Sequence, residues 1–386
     1  MKGLLQLSFN RDRIYGLDIL RALAILFVVG RHSSYLLPKR LYEFANYFIF
    51  DGVSIFFVLS GFLIGGILIK LFEKRRADKN LLFDFWKRRW FRTLPNYYLV
   101  LIVLCLLHLF FTDDFPFWSI SSYFIFSQNL FAEHPLWFFS EAWSLSIEEW
   151  FYLITPVLLF FLVAVLKTSP CNAILLVACT VILLVTGYRV VLYETLQIQT
   201  IDEWDLVFRK QVFTQLDSLM FGVMGAYLSY IHPSRWIKYK NAFLAAGIVL
   251  FIFSKFISPL LFSEVGLYNC VFSFSIISLA TLFVLPFLSN IKKGQGFFYG
   301  TITRISLISY SMYLLNLSVV QKWIIDKISW SDIFSSNYLF VFFKYGLFWF
   351  LTIILSILLY KYYELPVMNL RDRRKIKPVS IPATPS

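Results

Sequence analysis

Residues Ile14 to Tyr35 read IYGLDILRALAILFVVGRHSSY. The run is apolar over the length that a helix rising about 1.5 Å per residue needs to cross a hydrocarbon core of about 30 Å. Within it stand Asp18, Arg21 and His32. Ionisable side chains are costly to insert into lipid and usually face a cavity or a partner, so a span that keeps them is a site candidate. Arg21 and His32 lie eleven positions apart, about three helical turns, which puts them on one face separated by roughly 16 Å along the axis. One helix face thus joins the two halves of the membrane.

The rest of the chain repeats the apolar part of this pattern. Of 386 residues 59% are hydrophobic and only 15% charged, with a mean hydropathy of +0.68, which excludes a water-soluble domain of this size. Further spans are expected near 47–72, 90–111, 142–166, 174–192, 212–231, 242–257, 268–288, 305–323 and 339–362, with an interfacial segment over 115–131. The expected architecture is all-α: a polytopic integral membrane bundle of about ten helices. Residues 1–374 form one transmembrane domain and 375–386 a short disordered tail. The N-terminal span lacks the features of a cleaved signal and reads as a retained anchor. There is no internal repeat at a fixed period.

The net charge of +13 sits between spans, where it meets anionic headgroups of membrane lipids and sets orientation, so nucleic acid is not the expected partner. With the N-terminus inside, Lys74, Arg75, Arg76, Lys79 and Lys87 to Arg89, then Lys167, then Arg235, Lys238 and Lys240, then Lys292 and Lys293, and the tail from Arg371 all fall on the cytoplasmic side. Asp113, Asp114, Glu133, Asp202, Glu203 and Asp205 fall opposite. Both termini are therefore expected in the cytoplasm of a bacterial inner membrane. Cys105, Cys171, Cys179 and Cys270 have no metal-ligand spacing, and no metal is expected.

The polar residues inside the spans sort into two layers. Asp18 can pair with Arg21 at i, i+3 toward the cytoplasm. Arg89 and Arg92 in FWKRRWFRTLP offer guanidinium groups suited to phosphate, although a positive-inside anchor explains them as well. In the outer layer, depth places Glu148 and Ser144 of AWSLSIEEWFYL, Asp217 of QLDSLMFG and Asn316 of SYSMYLLN near His32. A histidine oriented by a carboxylate is a suitable general base for a hydroxyl, whereas polar glue between helices is the structural alternative for each residue. Ser60, Gly61, Gly65 and Gly66 let a neighbouring backbone or a thin ligand arm come close, ordinary helix packing being the simpler account. A secondary transporter is the rival class, since intramembrane Arg, His and Glu also build proton pathways.

LDILRALAILFVVGRH, DGVSIFFVLSGFLI, FWKRRWFRTLPNYYL, AWSLSIEEWFYLI, QLDSLMFG, ISYSMYLLN and YYELP, in this order and spacing, resemble the membrane-bound acyltransferase 3 family over nearly the whole chain. The resemblance implies a ten-span core and an acyl-coenzyme A cosubstrate, usually acetyl-CoA. It implies an acceptor that is commonly a hydroxyl of a cell-envelope saccharide, such as lipopolysaccharide or another lipid-linked glycan, with macrolides and other small molecules as alternatives. On it, His32, Glu148 and Asp217 are expected to be catalytic, Arg21, Arg89 and Arg92 to bind the donor, and Asp18, Ser144 and Asn316 to support them. Two positions depart from the pattern: relatives commonly have Arg where this chain has Gln215, and His where it has Asn316. Many relatives also carry an extracytoplasmic hydrolase-like domain that completes the transfer; a stand-alone member would transfer directly or pass the acyl group to a separate protein.

Overall fold

The computed structural model describes residues 13–74, 79–112, 116–330 and 337–373. Arg75, Arg76, Asp113, Asp114 and the tail from position 374, all used above for orientation or domain limits, lie outside the described residues. Among those described there is no strand. The helices are α1 (Tyr15–Ser34), α2 (Lys39–Phe48), α3 (Gly52–Lys74), α4 (Lys79–Phe111), α5 (Ala142–Phe160), α6 (Pro170–Thr195), the short α7 (Ile201–Trp204), α8 (Leu216–Ile231), α9 (Pro233–Lys238), α10 (Lys240–Ile252), α11 (Ser258–Leu261), α12 (Ser273–Ser289), α13 (Phe297–Leu315), α14 (Asn337–Leu359) and α15 (Leu365–Arg373).

The chain is a multi-pass membrane protein. Seven helical runs among the described residues are long and apolar enough to cross a bilayer: Lys39–Glu73, Lys79–Phe111, Ala142–Val165, Pro170–Thr195, Lys240–Leu261, Tyr268–Ser289 and Phe340–Leu370. The expected count of about ten is not reached on that measure. The segments that fall short are α1, which carries Asp18, Arg21 and Arg31; α8, which is only 16 residues long; and α13, which buries Thr303, Ser306, Ser309 and Ser311. These helices sit inside the bundle, α1 against α3, α12 and α13, and α8 against α3, α6 and α12. A helix enclosed by others can carry polar groups that lipid would not accept.

Two boundaries move. The expected span over 47–72 is interrupted at Ile49–Asp51, with the amphipathic α2 before it. The expected span over 90–111 begins eleven residues earlier, at Lys79, so Arg89 and Arg92 lie within α4 rather than at its start. The segment expected at the interface contains a 3-10 helix, Phe117–Ile125, whose Trp118 and Ile125 are exposed. Between it and α5, Gln128, Asn129, His134, Phe138, Phe139 and Glu141 are buried, so this loop folds back into the bundle. Burial pushes the His134 imidazole down to about 3; it is neutral, and its Nε2–H donates to the carbonyls of Phe139 and Ser140 at 3.2 and 3.0 Å.

π-helical turns interrupt several helices, at Asp205–Arg209, Phe253–Ile257, Asn316–Ile325 and Tyr360–Glu364 among others. A π-turn widens the helix and re-aims the side chains that follow, and such turns collect at functional sites.

Glycines set the closest approach. A Cβ on Gly61 of α3 would overlap the carbonyl of Leu219, and one on Gly222 of α8 would overlap that of Val58. The small residues of α3 thus serve helix contact at Gly61 and Gly65, while Gly66 has nothing near it and Ser60 faces a cavity. Gly222→Val forces α3 and α8 apart; the expected cost is about 1–3 kcal/mol or more, read as a fall in the thermal unfolding midpoint of the detergent-purified protein.

Candidate active site

Where α1, α3, α4, α5 and α13 converge they enclose a cavity of about 120 Å³. Arg21, Arg89, Arg92 and Glu148 line it, with Ser60, Thr93, Ser144, Tyr310, Tyr313 and Glu364. The expected Asp18–Arg21 pair does not form. Asp18 is held instead by Arg13, whose Nε donates to Oδ2 at 3.0 Å, and by the Ser306 hydroxyl at 2.7 Å. Among the described residues Arg21 therefore has no hydrogen-bond or ion-pair partner, and its guanidinium is left to the cavity, within Coulombic reach of Arg92 and Glu148.

Glu148 was expected beside His32, and the structure puts it with the arginines, accepting a hydrogen bond from the Tyr152 hydroxyl. The cause is the loop before α5. Because that loop is itself buried, α5 starts inside the bundle and Glu148, nearly two turns on, lies deeper than its distance from the start of an apolar run implies. Glu149 accepts from Thr93 at 2.7 Å. Glu364, from the YYELP motif and not among the expected site residues, accepts from Asn96 and Ser311, each at 2.8 Å.

His32 lines a second and larger chamber of about 750 Å³, with Arg31, Tyr35, Asp51, Glu141, Trp143, Trp204, Asp205, Arg209, Lys210, Lys255 and Lys322. Among the described residues no carboxylate bonds to the imidazole. Its Nδ1 lies 2.6 Å from Oδ1 of Asn316, while the Asn316 amide nitrogen donates to the carbonyls of Met312 and Tyr313 at 2.9 and 2.8 Å. Those two carbonyls fix which way the amide points. Its oxygen can only accept, so His32 carries its hydrogen on Nδ1 and keeps the Nε2 lone pair. Among the described residues Nε2 has no partner, the arrangement a general base needs.

The two cavities share lining residues. Val53 and Tyr313 line both. The Tyr313 hydroxyl lies 2.5 Å from Ser144 Oγ and donates to the Glu141 carbonyl at 2.9 Å, which ties α13 to the start of α5. Elsewhere in the chamber, burial raises the Asp205 carboxyl, and the charges of Arg209 and Lys210 more than offset it and hold it below its ordinary range.

A sequence model of the acyltransferase 3 family, described as an acyltransferase domain, matches residues 14–369. The chain belongs to the acyltransferase 3 family. Similar proteins include peptidoglycan O-acetyltransferase OatA of Listeria monocytogenes, 34% identical over 39% of this chain and 25% of that protein. A putative peptidoglycan O-acetyltransferase, YrhL of Bacillus subtilis, is 38% identical over 46% of the chain and 29% of its own length. O-acetyltransferase OatA of Staphylococcus aureus is 28% identical over 82% of the chain and 52% of its own length. The chain thus spans between a quarter and about half of these relatives. No solved structure matches it.

Both departures from the acyltransferase 3 pattern have structural roles here. Gln215 is buried at the start of α8, where its Nε2 donates to the Phe208 carbonyl at 3.2 Å. Asn316 holds His32, as above. Asp217, expected to be catalytic, lines neither cavity. It is fully buried in an ion pair with Arg189 of α6 and accepts from Ser275 of α12 at 2.9 Å. Arg189 also donates to the carbonyls of Thr214 and Val271 at 2.7 and 3.0 Å, so the pair clamps α6, α8 and α12. Nothing in the sequence around Arg189 marked it as Asp217's partner, because they meet only in the packed bundle. Among the described residues no group of His, Cys, Asp and Glu is arranged to hold a metal ion. Asp217→Ala leaves Arg189 buried without its counter-charge, a change worth about 3–5 kcal/mol. The unfolding midpoint is expected to drop steeply, whereas Glu148→Gln, at a cavity wall, leaves it nearly unchanged.

Proposed function

We propose that this acyltransferase 3 member moves an acyl group, acetyl by analogy with its relatives, from cytoplasmic acyl-CoA to a hydroxyl of a cell-wall saccharide on the far side of the bacterial inner membrane. In this reading α1, α8 and α13 complete a ten-span bundle with both termini in the cytoplasm. The observation that carries it is α1 itself: Arg21 lines the arginine cavity, His32 lines the chamber, and among the described residues Val53 and Tyr313 alone are common to both.

The donor's phosphates would dock on Arg89 and Arg92 at the mouth of the arginine cavity, where guanidinium groups bind phosphate oxygens bidentately. Arg21 would hold the donor further in. The slot admits the narrow acyl-bearing arm rather than a nucleotide, and delivers the thioester past Tyr313 toward His32. The acceptor hydroxyl, in the chamber, gives its proton to His32 Nε2 as its oxygen attacks the thioester carbonyl. The carbon–sulfur bond then breaks and the imidazolium returns the proton to the departing thiolate. The Asn316 oxygen, accepting from Nδ1–H, stabilises the imidazolium formed in between. Glu148 belongs in this scheme to the donor side, and Asp217 to the scaffold.

Coenzyme A release and acetyl transfer from labelled acetyl-CoA, followed in proteoliposomes, test the proposal. His32→Ala is expected to lower transfer by at least about a hundredfold with unchanged unfolding. Substrate transport without thiol release would instead assign the chain to a transporter. Asn316→Ala is expected to lower kcat by about tenfold or more with KM little changed, because the imidazole loses its fixed tautomer. Arg89→Ala and Arg92→Ala are expected to raise KM for acetyl-CoA about tenfold with a smaller effect on kcat, the charge-assisted bonds they remove being worth about 1.5–3 kcal/mol.

A further inference from the structure

The histidine chamber is lined by five cations, Arg31, Arg209, Lys210, Lys255 and Lys322, against four carboxylates, Asp51, Glu141, Asp202 and Asp205, and not all of the cations are paired. Asp51 and Asp205 are used internally: Arg209 reaches both, at 3.5 and 3.1 Å, and Lys210 pairs with Asp205. Glu141 lies within Coulombic reach of Lys322 without pairing with it, its two oxygens accepting from the backbone N–H and the hydroxyl of Ser318. That leaves Arg31, Lys255 and Lys322, none of which has a carboxylate within ion-pair distance among the described residues. Each rests on a neutral oxygen: Arg31 on the Asn46 side chain at 2.9 Å, Lys255 on the Ile49 carbonyl at 2.8 Å, Lys322 on the Leu136 carbonyl at 2.6 Å and on Ser140 Oγ at 2.5 Å.

Such an arrangement needs a counter-charge. Lys255 sits on the π-turn that follows α10, inside a run apolar enough to span the bilayer, where an ammonium is expensive and turns to a water-filled cavity or a partner. Arg31 and Asp51 are both within Coulombic reach of it, the one repelling and the other attracting, and neither is paired with it. The ammonium of Lys255 spends one donor on Ile49 and has others to offer. At about 750 Å³ the space lies within the range of about 300–1,000 Å³ usual for small-molecule sites.

We infer that the chamber recognises an acceptor saccharide bearing an anionic group, phosphate or carboxylate, held by Arg31, Lys255 and Lys322 beside His32. The inference rests on the acceptor reading proposed above and adds the charge of the substrate to it. Anchoring the anion at the chamber wall leaves the sugar's hydroxyls to face the Nε2 lone pair, with Trp143 and Trp204 as apolar walls for the ring.

The test uses the full chain in phosphatidylcholine vesicles with labelled acetyl-CoA and two acceptor probes, N,N′-diacetylchitobiose and its glycosyl 1-phosphate. The phosphorylated probe is expected to show a kcat/KM about tenfold or more above the neutral one, the scale of a charge-assisted contact. Lys255→Gln, which retains a donor for the Ile49 carbonyl, and Arg31→Gln are each expected to reduce that ratio several-fold. Equal use of the two probes, or a ratio untouched by both substitutions, overturns the inference alone. Failure to label either probe overturns the acceptor reading beneath it. A preference that disappears when phosphatidylglycerol replaces part of the phosphatidylcholine assigns these cations to a lipid headgroup and overturns the acceptor assignment.

Discussion

A helix that carries Asp18, Arg21 and His32 inside the bundle of a multi-pass membrane protein has to be surrounded, and the bundle is organised around that requirement. Lipid offers no hydrogen-bond partners, so α1 is enclosed by α3, α12 and α13, and its apolar face at Leu17, Ile25, Val28 and Val29 packs into their cores. The enclosing helices then become less apolar themselves. Ser306 of α13 faces Asp18, and Asn316 faces His32 three turns further on. What is left unfilled around Arg21 and around His32 is the pair of cavities.

The two ends of α1 are treated differently by their neighbours. At one end Arg13 and Ser306 take up Asp18 and so release Arg21 toward the cavity. At the other, the hydrogen on His32 is fixed by an amide whose own donors are spent on the Met312 and Tyr313 carbonyls. That second arrangement depends on the π-turn over Asn316–Ile325, which directly follows α13. A neutral amide can set the tautomer as firmly as a carboxylate does, since what matters is which atom can only accept.

The acidic residues divide in the same way between helix contacts and cavity walls. Asp217 and Arg189 neutralise each other completely inside α6, α8 and α12 and expose nothing to either cavity. Glu148 keeps a cavity-facing edge with a single tyrosine donor, and Glu364 joins it from the far end of the chain, held by Asn96 and Ser311. Both cavities carry one cation more than they have carboxylates: three arginines against Glu148 and Glu364 in the smaller one, and Arg31, Arg209, Lys210, Lys255 and Lys322 against Asp51, Glu141, Asp202 and Asp205 in the chamber beyond Tyr313.

Much of this was written in the order of the residues. Hydropathy and helix rise marked most of the helical spans, the i, i+11 spacing of Arg21 and His32 put both on one face, and the R-x-x-R and Y-Y-E-L-P segments, in sequence with the rest, carried the family. Those signals are local or periodic, and one chain read end to end contains them. What only the tertiary structure decided is which polar group meets which: Asp18 with Arg13 rather than Arg21, Glu148 with the arginines rather than His32, Asp217 with Arg189, Asn316 with His32. Depth along a span can be counted from its charged end only if the span begins at the membrane surface, and α5 begins inside the bundle because a loop folds in before it. π-turns rotate the side chains after them without any periodic trace in the sequence, and the partner of a buried charge is set by packing between helices, which no single helix encodes.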